Sequence, residues 1–151
     1  MKNRLLILGN NEFSREYYEH GVFKINRRKS VSALYYKYDI HNLSKENLDS
    51  STACKLAMSF ITKYKYSACI IALGIEDLKQ NKLHLFEENL QMLLNMLKLY
   101  RIVPILLEVE DQDIDCTSVN DIIRKYKREL NLNYGVNDGL LMYNSNIQFC
   151  N

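Results

Sequence analysis

The sequence predicts a single α/β domain built on a mostly parallel sheet with helices on both faces. Short, continuously apolar segments alternate with longer segments whose apolar residues recur at helical spacing, which is typical of strands joined by crossover helices. The chain of 151 residues contains 5 Gly and 1 Pro, too few for the many turns of an all-β protein. We therefore expect one three-layer α/β/α domain of flavodoxin-like type over residues 1–151.

The first third of the chain contains one clear strand and two less regular segments. Arg4–Leu8 is continuously apolar after its first residue and precedes a Gly-Asn-Asn turn, which predicts a strand buried in a parallel sheet. Asn11 and Gly21 suit the start and end of a helix running to about residue 20, because Asn is favoured at the N-cap and Gly just past the last turn. Val31–Ile40 is aromatic and β-branched enough for a second strand, although Ser30–Tyr36 also suits a helix.

The remaining elements alternate regularly. They are a helix opening at residues 49–52, a strand over Ser67–Leu73, a helix over Leu83–Tyr100, a strand over Ile102–Val109 and a helix from Thr117 or Ser118 to about Leu130. The helices are assigned because apolar residues recur three and four positions apart. Pro104 predicts that the last strand is an edge strand or that this residue lies at its start.

Composition narrows the classes of partner. With 20 Lys+Arg against 18 Asp+Glu, the formal net charge is +2, so bulk electrostatics does not favour nucleic acid. A small basic run beginning at Lys24 is interpreted as a solvated loop, and no nucleic-acid partner is expected. The longest early apolar run, Leu5–Leu8, is too short for a membrane span or a signal-peptide core. The 4 cysteines are widely spaced, so we expect a cytoplasmic protein with reduced thiols and no membrane partner.

Motifs for common cofactors and hydrolases are missing from the sequence. No G-x-G-x-x-G follows the first strand and no G-x-x-x-x-G-K-[ST] occurs, so neither a dinucleotide nor a P-loop nucleotide site is supported. A G-x-S-x-G nucleophile elbow does not occur either. We expect no cofactor, and an unidentified small molecule or protein as partner.

A ligand pocket is expected at the carboxyl edge of the sheet, where open α/β sheets bind their ligands. The loops that follow the predicted strands, together with the tail, supply the polar residues of this edge. The expected pocket residues are Gly9, Asn10, Asn11, His41, Asn42, Gly74, Glu76, Asp77 and Asp138.

Four segments occur in an order that resembles one hydrolase family. Leu6–Asn11 is similar to an apolar strand followed by G-D-S, and Ala68–Leu78 to an apolar strand followed by G-x-N-D. Phe86–Leu90 and the later Val103–Leu107 are similar to the next helix and strand, and Asp138–Met142 to a closing D-G-x-H motif. Together they resemble the SGNH (GDSL-type) hydrolases. The resemblance implies that family's fold over most of the chain, shortened at the C-terminus.

The catalytic positions depart from the family. The resemblance places the family's nucleophilic Ser at Asn11, its oxyanion-stabilising Asn at Glu76 and its general-base His at Leu141, and only Asp138 is retained. The family's second-block Gly falls near His41 or Asn42. Loss of a nucleophile or base reduces turnover by on the order of 10⁶, and loss of one oxyanion donor by roughly 10²–10³. These changes predict a domain with the SGNH fold and without its hydrolase chemistry.

Three alternatives remain open at this stage. Ser14 lies one helical turn beyond Asn11 and pairs with His41 in a hypothetical relocated esterase site. A carboxylate metal site has Glu76, Asp77, Glu108 and Asp111 as its candidate ligands. Finally, the helix over Leu83–Tyr100 carries more apolar residues than one sheet-facing stripe requires. We interpret the surplus as core, with a homodimer contact as the alternative.

Overall fold

Four parallel strands form the main sheet of the computed structural model, which describes residues 3–10, 16–19, 22–25 and 38–134. The strands are β1 (Asn3–Gly9), β2 (Glu16–Glu19), β3 (Val22–Ile25), β4 (Tyr38–Asn42), β5 (Ala68–Ala72) and β6 (Val103–Leu106). The helices are α1 (Ser50–Ile61), α2 (Ile75–Lys79), α3 (Leu83–Leu99) and α4 (Thr117–Tyr134). The main sheet has the order β4-β1-β5-β6, and β2 pairs with β3 in a separate antiparallel ribbon.

The two central strands, β1 and β5, are apolar because both of their faces are covered. Leu5–Leu8 and Ala68–Ala72 are buried throughout, and Leu6 lies opposite Cys69 in the parallel register. The continuous apolar runs of the sequence therefore correspond to the middle of a parallel sheet, as predicted.

Helices α1 and α3 lie side by side on one face of the sheet. Since α1 joins β4 to β5 and α3 joins β5 to β6, both connections progress across the sheet in the same direction, and right-handed crossovers then share a face. The Cys54 thiol in α1 donates a hydrogen bond to the Asn89 carbonyl in α3, with 3.3 Å between sulfur and oxygen. Packing against each other and against the sheet buries the apolar stripe of each helix.

The start of α1 is confirmed as the sequence predicts it. Asp49 is the N-cap, and its carboxylate accepts a hydrogen bond from the Thr52 backbone N–H at 2.7 Å, which lowers the pKa of Asp49. Cys54, Ala57 and Ile61 face the core. Met58 shares their periodicity but is exposed, because it lies at the margin of the buried stripe.

The predicted helix between Asn11 and residue 20 is wrong. Glu16–Glu19 is instead a strand that pairs with Val22–Ile25. The two segments contain aromatic and β-branched residues, which favour paired strands, and cross-strand hydrogen bonds outweigh the local capping signals. The next predicted strand, Val31–Ile40, corresponds in part to β4, which begins at Tyr38 and extends to Asn42; residues 26–37 lie outside the described part of the chain.

The second half follows the predicted order with two differences. Helix α2 has 5 residues, too few for a detectable helical period. Helix α4 extends to Tyr134 and begins beside Asp115, whose carboxylate accepts hydrogen bonds from the Thr117 N–H and hydroxyl at 3.0 and 2.5 Å and so has a lowered pKa. Strand β6 is an edge strand of the described sheet, and Pro104 is its second residue, as predicted.

Helix α3 is only partly buried. Phe86, Leu90, Leu93 and Leu97 face the core, whereas Leu85, Met92 and Leu99 are 38%, 56% and 79% exposed. We call these three exposed residues the α3 stripe. The interpretation of the whole apolar surplus as core is therefore wrong for the stripe, because the sheet and α1 together cover one side of the helix.

Asn120 in α4 holds the backbone that follows β6. The Val109 N–H donates to the Asn120 side-chain oxygen at 2.9 Å, and the Asn120 side-chain N–H donates to the Val109 carbonyl at 2.8 Å. We expect Asn120→Ala to lower the free energy of unfolding by about 2 kcal/mol, because both Val109 groups lose their partner. Urea denaturation followed by circular dichroism measures this change. The matched control is Asn95→Ala at an exposed site on α3, where we expect a change below about 0.5 kcal/mol; equal effects at both sites would contradict the prediction.

Three of the cysteines lie in the interior and are not in disulfides. Cys54, Cys69 and Cys116 are buried, and Cys150 lies outside the described residues. Burial raises the pKa of Cys54 to about 11 and also raises the pKa of Cys69, so both are poor nucleophiles at neutral pH. Among the described helices, none has both the length and the apolarity needed to cross a bilayer.

Candidate functional site

The connections of the sheet diverge at the carboxyl end of β1. From β1 the chain passes to β4 on one side, and it then returns to β5 on the other side. A crevice forms at such a point in open α/β sheets and is their usual ligand site. Gly9 and Asn10 lie there at the end of β1, Gly9 is in register with Ala72 of β5, and Gly74 follows two residues later. The structure thus places these predicted site residues at one edge.

The chain that leaves β4 continues along β1 toward this edge. The Lys45 N–H donates a hydrogen bond to the Gly9 carbonyl, with 3.2 Å between nitrogen and oxygen. The Asn42 side-chain oxygen accepts a hydrogen bond from the Ser44 N–H at 3.0 Å, which closes a local turn. Asn42 therefore belongs to the edge as predicted, with one side-chain atom occupied in shaping the loop.

Asn47 has the backbone conformation in this loop that favours glycine. Its φ is 61°, in the left-handed region that Asn tolerates better than most other residues. The second-block glycine of the SGNH pattern was expected near His41 or Asn42, but both residues lie within β4. The loop that follows β4 has its glycine-like backbone conformation at Asn47.

His41 is directed away from the carboxyl edge. Its Nδ1 lies 2.6 Å from the Tyr66 hydroxyl, and its ring meets Tyr64, Tyr66 and Phe60 edge-on at centroid distances of 4.9, 5.4 and 6.2 Å. Tyr66 precedes β5 and so lies at the amino edge of the sheet, and burial raises its pKa to about 12. The prediction of His41 in a loop at the pocket mouth is therefore wrong, because in a strand the side chain follows the face that α1 covers.

Glu76 lies at the candidate site in the first turn of α2. It follows Gly74, the N-cap of that helix, and its side chain is half-buried. One carboxylate oxygen accepts a hydrogen bond from the Gln80 side-chain amide at 3.0 Å. The position to which the resemblance assigns the family's oxyanion-stabilising Asn therefore carries a carboxylate.

Asp77 is buried and belongs to a polar network between helices. Its two carboxylate oxygens accept hydrogen bonds from Ser50, one from the N–H at 3.0 Å and one from the hydroxyl at 2.7 Å. The Ser50 hydroxyl oxygen in turn accepts a hydrogen bond from the Asn89 amide at 2.9 Å. The network joins α2 to the first residue of α1 and to α3, so a carboxylate stabilises the positive end of α1.

Burial determines the role of Asp77. The side chain is 2% exposed, and this burial raises the pKa of Asp77, an effect that the Ser50 hydrogen bonds oppose. With both oxygens bound to Ser50, Asp77 tethers the helix that carries Glu76. The prediction of Asp77 as a pocket or metal-binding residue is therefore not supported.

The predicted carboxylate metal site does not assemble. Glu108 pairs with Arg124, and Asp111 lies 3.6 Å from the ammonium group of Lys79, while Glu76 and Asp77 have the partners described above. Within residues 3–10, 16–19, 22–25 and 38–134, no three His, Cys, Asp or Glu side chains form a group that could hold a metal ion. Adjacent carboxylates in the sequence face in different directions here because each is drawn to a separate partner.

Several predicted site residues lie outside the described part of the chain. They are Asn11, Ser14, Asp138 and Leu141. Their proposed roles, including the Ser14 alternative, remain predictions from sequence.

Solved structures with the same architecture are esterases and lipases. A psychrotrophic esterase, EstA from Pseudoalteromonas, is 16% identical with a TM-score of 0.64, over 87% of this chain and 73% of that chain. A GDSL-like lipase from Bacteroides thetaiotaomicron is 14% identical with a TM-score of 0.60, over 84% and 64% of the two chains. An acetyl-xylooligosaccharide esterase from Geobacillus is 16% identical with a TM-score of 0.56, over 85% and 73%. No protein-family model and no curated protein matches the sequence.

This chain has the SGNH-hydrolase fold. The likeness to these enzymes, together with the parallel sheet and its helices, confirms the predicted three-layer α/β/α architecture and, at the level of the fold, the resemblance to SGNH hydrolases. Glu76 follows β5, in the segment that resembles the family's G-x-N-D motif.

Sequence reasoning missed two features of this SGNH-like domain. The Ser50–Asp77–Asn89 network links residues that are 27 and 39 positions apart in the chain, a separation that no local pattern reports. The aromatic surroundings of His41 were missed for the same reason. Ser50 and Asp77 each lie in the first turn of a helix. Serine and acidic residues are common at such positions, so their presence in the sequence does not indicate a network.

Proposed function

We propose that this SGNH-like domain is a non-catalytic binding domain whose small-molecule or protein ligand lies at the carboxyl edge of the sheet. The observation that carries the proposal is Glu76 in the first turn of α2. An acyl-transfer site needs hydrogen-bond donors where negative charge develops on the acyl oxygen. A carboxylate at that position repels this charge, so Glu76 opposes the reaction of the family.

The residues at the other catalytic positions support the same conclusion. The amide of Asn11 does not attack an acyl carbon, and Leu141 has no group that accepts a proton. His41 is the alternative base that the sequence predicts for a relocated site. Its Nδ1 lies 2.6 Å from the Tyr66 hydroxyl, among the aromatic side chains described above. This placement argues against a relocated catalytic pair.

Charge at the edge favours one class of ligand. Glu76 follows β5 and the exposed Glu110 follows β6, so carboxylates border the edge. Neutral or cationic ligands are therefore favoured over anionic ones. Amide chemical-shift mapping with neutral and cationic fragments tests whether a ligand binds at the carboxyl edge. We expect the shifts to cluster at residues 9–10, 42–47 and 74–76, and clustering at another surface would contradict it.

The proposed absence of esterase activity is tested with p-nitrophenyl acetate and butyrate. We expect the purified protein to hydrolyse neither ester faster than buffer, and a fluorophosphonate probe to leave its serines unlabelled. The reason is that Asn11, Glu76 and Leu141 occupy the positions that the resemblance gives to the nucleophile, the oxyanion donor and the base.

The contradicting outcome is defined by matched variants. Hydrolysis that disappears in Asn11→Ala, Ser14→Ala or Asp138→Ala, but persists in Ser118→Ala, would show a working esterase. Ser118 is an exposed residue of α4 and controls for the general effect of removing a hydroxyl.

A further inference from the structure

The α3 stripe is a regular surface feature. Leu85, Met92 and Leu99 are seven positions apart and lie nearly on one line along the helix. All three are exposed, although the core of this domain is already filled by the opposite face of α3. Exposed apolar side chains aligned on one helix face form a surface that another protein can cover.

The stripe is symmetric about its centre. A leucine lies seven residues before Met92 and another lies seven residues after it. If a two-fold axis passes through Met92, a second copy of α3 packs antiparallel, with Met92 against the partner's Met92 and Leu85 against the partner's Leu99. Such an isologous contact is self-complementary and closes as a dimer.

Charges beside the stripe are complementary in the same arrangement. Glu88 lies in the first half of α3 and Lys98 in its last turn, both exposed and on the same side of the stripe. Neither has an ion-pair partner within the part of the chain that the structure describes. Antiparallel packing brings Glu88 of each copy next to Lys98 of the other copy, which gives two equivalent ion pairs. Parallel packing does not bring these residues together.

We propose that the α3 stripe is a self-association surface on which a second copy of this chain packs antiparallel about Met92. Three apolar side chains in each copy correspond to a small interface, so we expect a weak, reversible dimer. The surface lies on the helical face of the domain and leaves the carboxyl edge of the sheet free. The proposal is therefore independent of the proposed ligand site.

Sedimentation equilibrium of the full chain from about 1 to about 100 μM tests the proposal. We expect the average mass to rise from monomer toward dimer over this range. Met92→Glu places two carboxylates at the two-fold axis and should weaken association at least about 10-fold. Gln112→Glu adds the same charge at an exposed residue of the loop between β6 and α4, away from the stripe, and should leave association unchanged. A monomer at all concentrations, or equal effects of the two variants, overturns the proposal.

A charge exchange distinguishes antiparallel packing from other contacts. Glu88→Lys and Lys98→Glu should each weaken association, and the double variant should restore it, because the two ion pairs re-form with reversed sign. Met92→Cys in a Cys150→Ser background should form a disulfide-linked dimer on mild oxidation. A dimer without charge rescue and without this cross-link overturns the antiparallel arrangement. Circular dichroism confirms that each variant is folded.

Discussion

Replacing Gly74 with alanine is expected to lower the free energy of unfolding by about 4 kcal/mol. Gly74 has a φ of 120°, which L-residues with a side chain rarely adopt. A Cβ atom built on it would lie 2.4 Å from the Val119 Cγ1 atom and 3.1 Å from the Phe86 ring. Backbone strain and overlap with two buried side chains therefore add in the same variant. Urea denaturation followed by circular dichroism measures the loss.

The second variant in this test separates the two causes. Val119→Ala removes the methyl group that overlaps most with the new Cβ atom, so the double variant Gly74→Ala/Val119→Ala should recover part of the lost stability relative to the sum of the single variants. Strict additivity of the two changes would contradict the steric explanation and leave the backbone strain as the whole effect.

Replacing Asp77 with alanine is expected to lower the free energy of unfolding by about 3 kcal/mol. The Asp77 carboxylate accepts both the N–H and the hydroxyl of Ser50 in a buried site. Alanine leaves these two donors without an acceptor and removes the link between α1 and α2. The same urea measurement applies.

Asp77→Asn is the matched control for this network. An asparagine keeps one acceptor for the Ser50 N–H and removes the penalty of a buried charge, so we expect a loss below about 1 kcal/mol. If Asp77→Asn were as destabilising as Asp77→Ala, the charge itself and not the hydrogen bonding would hold the helices together.

The pH dependence of stability provides an independent test of the buried carboxylate. Burial raises the pKa of Asp77 above the ordinary value of 3.8, so the folded state binds this proton more readily than the unfolded state. Acidification from above the folded pKa down to 3.8 therefore stabilises the native protein through this group. The lowered pKa of Asp49 has the opposite sign, because the stability it contributes is lost as the pH falls below 3.8.

Asp77→Asn should remove the contribution of Asp77 to the pH dependence of the free energy of unfolding. The loss of stability in the variant, relative to the native chain, should be smallest above the folded pKa of Asp77 and should grow as the pH approaches 3.8. A difference in the free energy of unfolding that does not vary with pH would contradict a raised pKa at Asp77.

Two adjacent residues of α2 illustrate why a site is harder to predict than a fold. Glu76 and Asp77 are both acidic and both follow Gly74, so the sequence predicts both in the pocket. Successive residues of a helix point about 100° apart. One carboxylate therefore remains at the edge and pairs with Gln80, and the other enters the interior and pairs with Ser50.

The strands and long helices of the second half could be predicted because their signals are local. A continuous apolar run such as Ala68–Ala72 reports burial on both faces, and the Asp49 cap acts within one turn of helix. The segment around Glu16–Glu19 could not be predicted in the same way, because its strand depends on hydrogen bonds to Val22–Ile25. His41 was misplaced for a similar reason, since its ring is positioned by Phe60 of α1 and by Tyr64 and Tyr66 in the chain before β5.

The order of residues alone determined the α/β class, the resemblance to SGNH hydrolases and the replacement of serine, asparagine and histidine at the matched positions, since these follow from residue identity and short-range periodicity. The three-dimensional packing decided which carboxylate is buried, where His41 points and which apolar residues of α3 stay in contact with water. Those outcomes depend on contacts between residues far apart in the chain. Only the assembled sheet and helices bring such residues within hydrogen-bond or van der Waals distance.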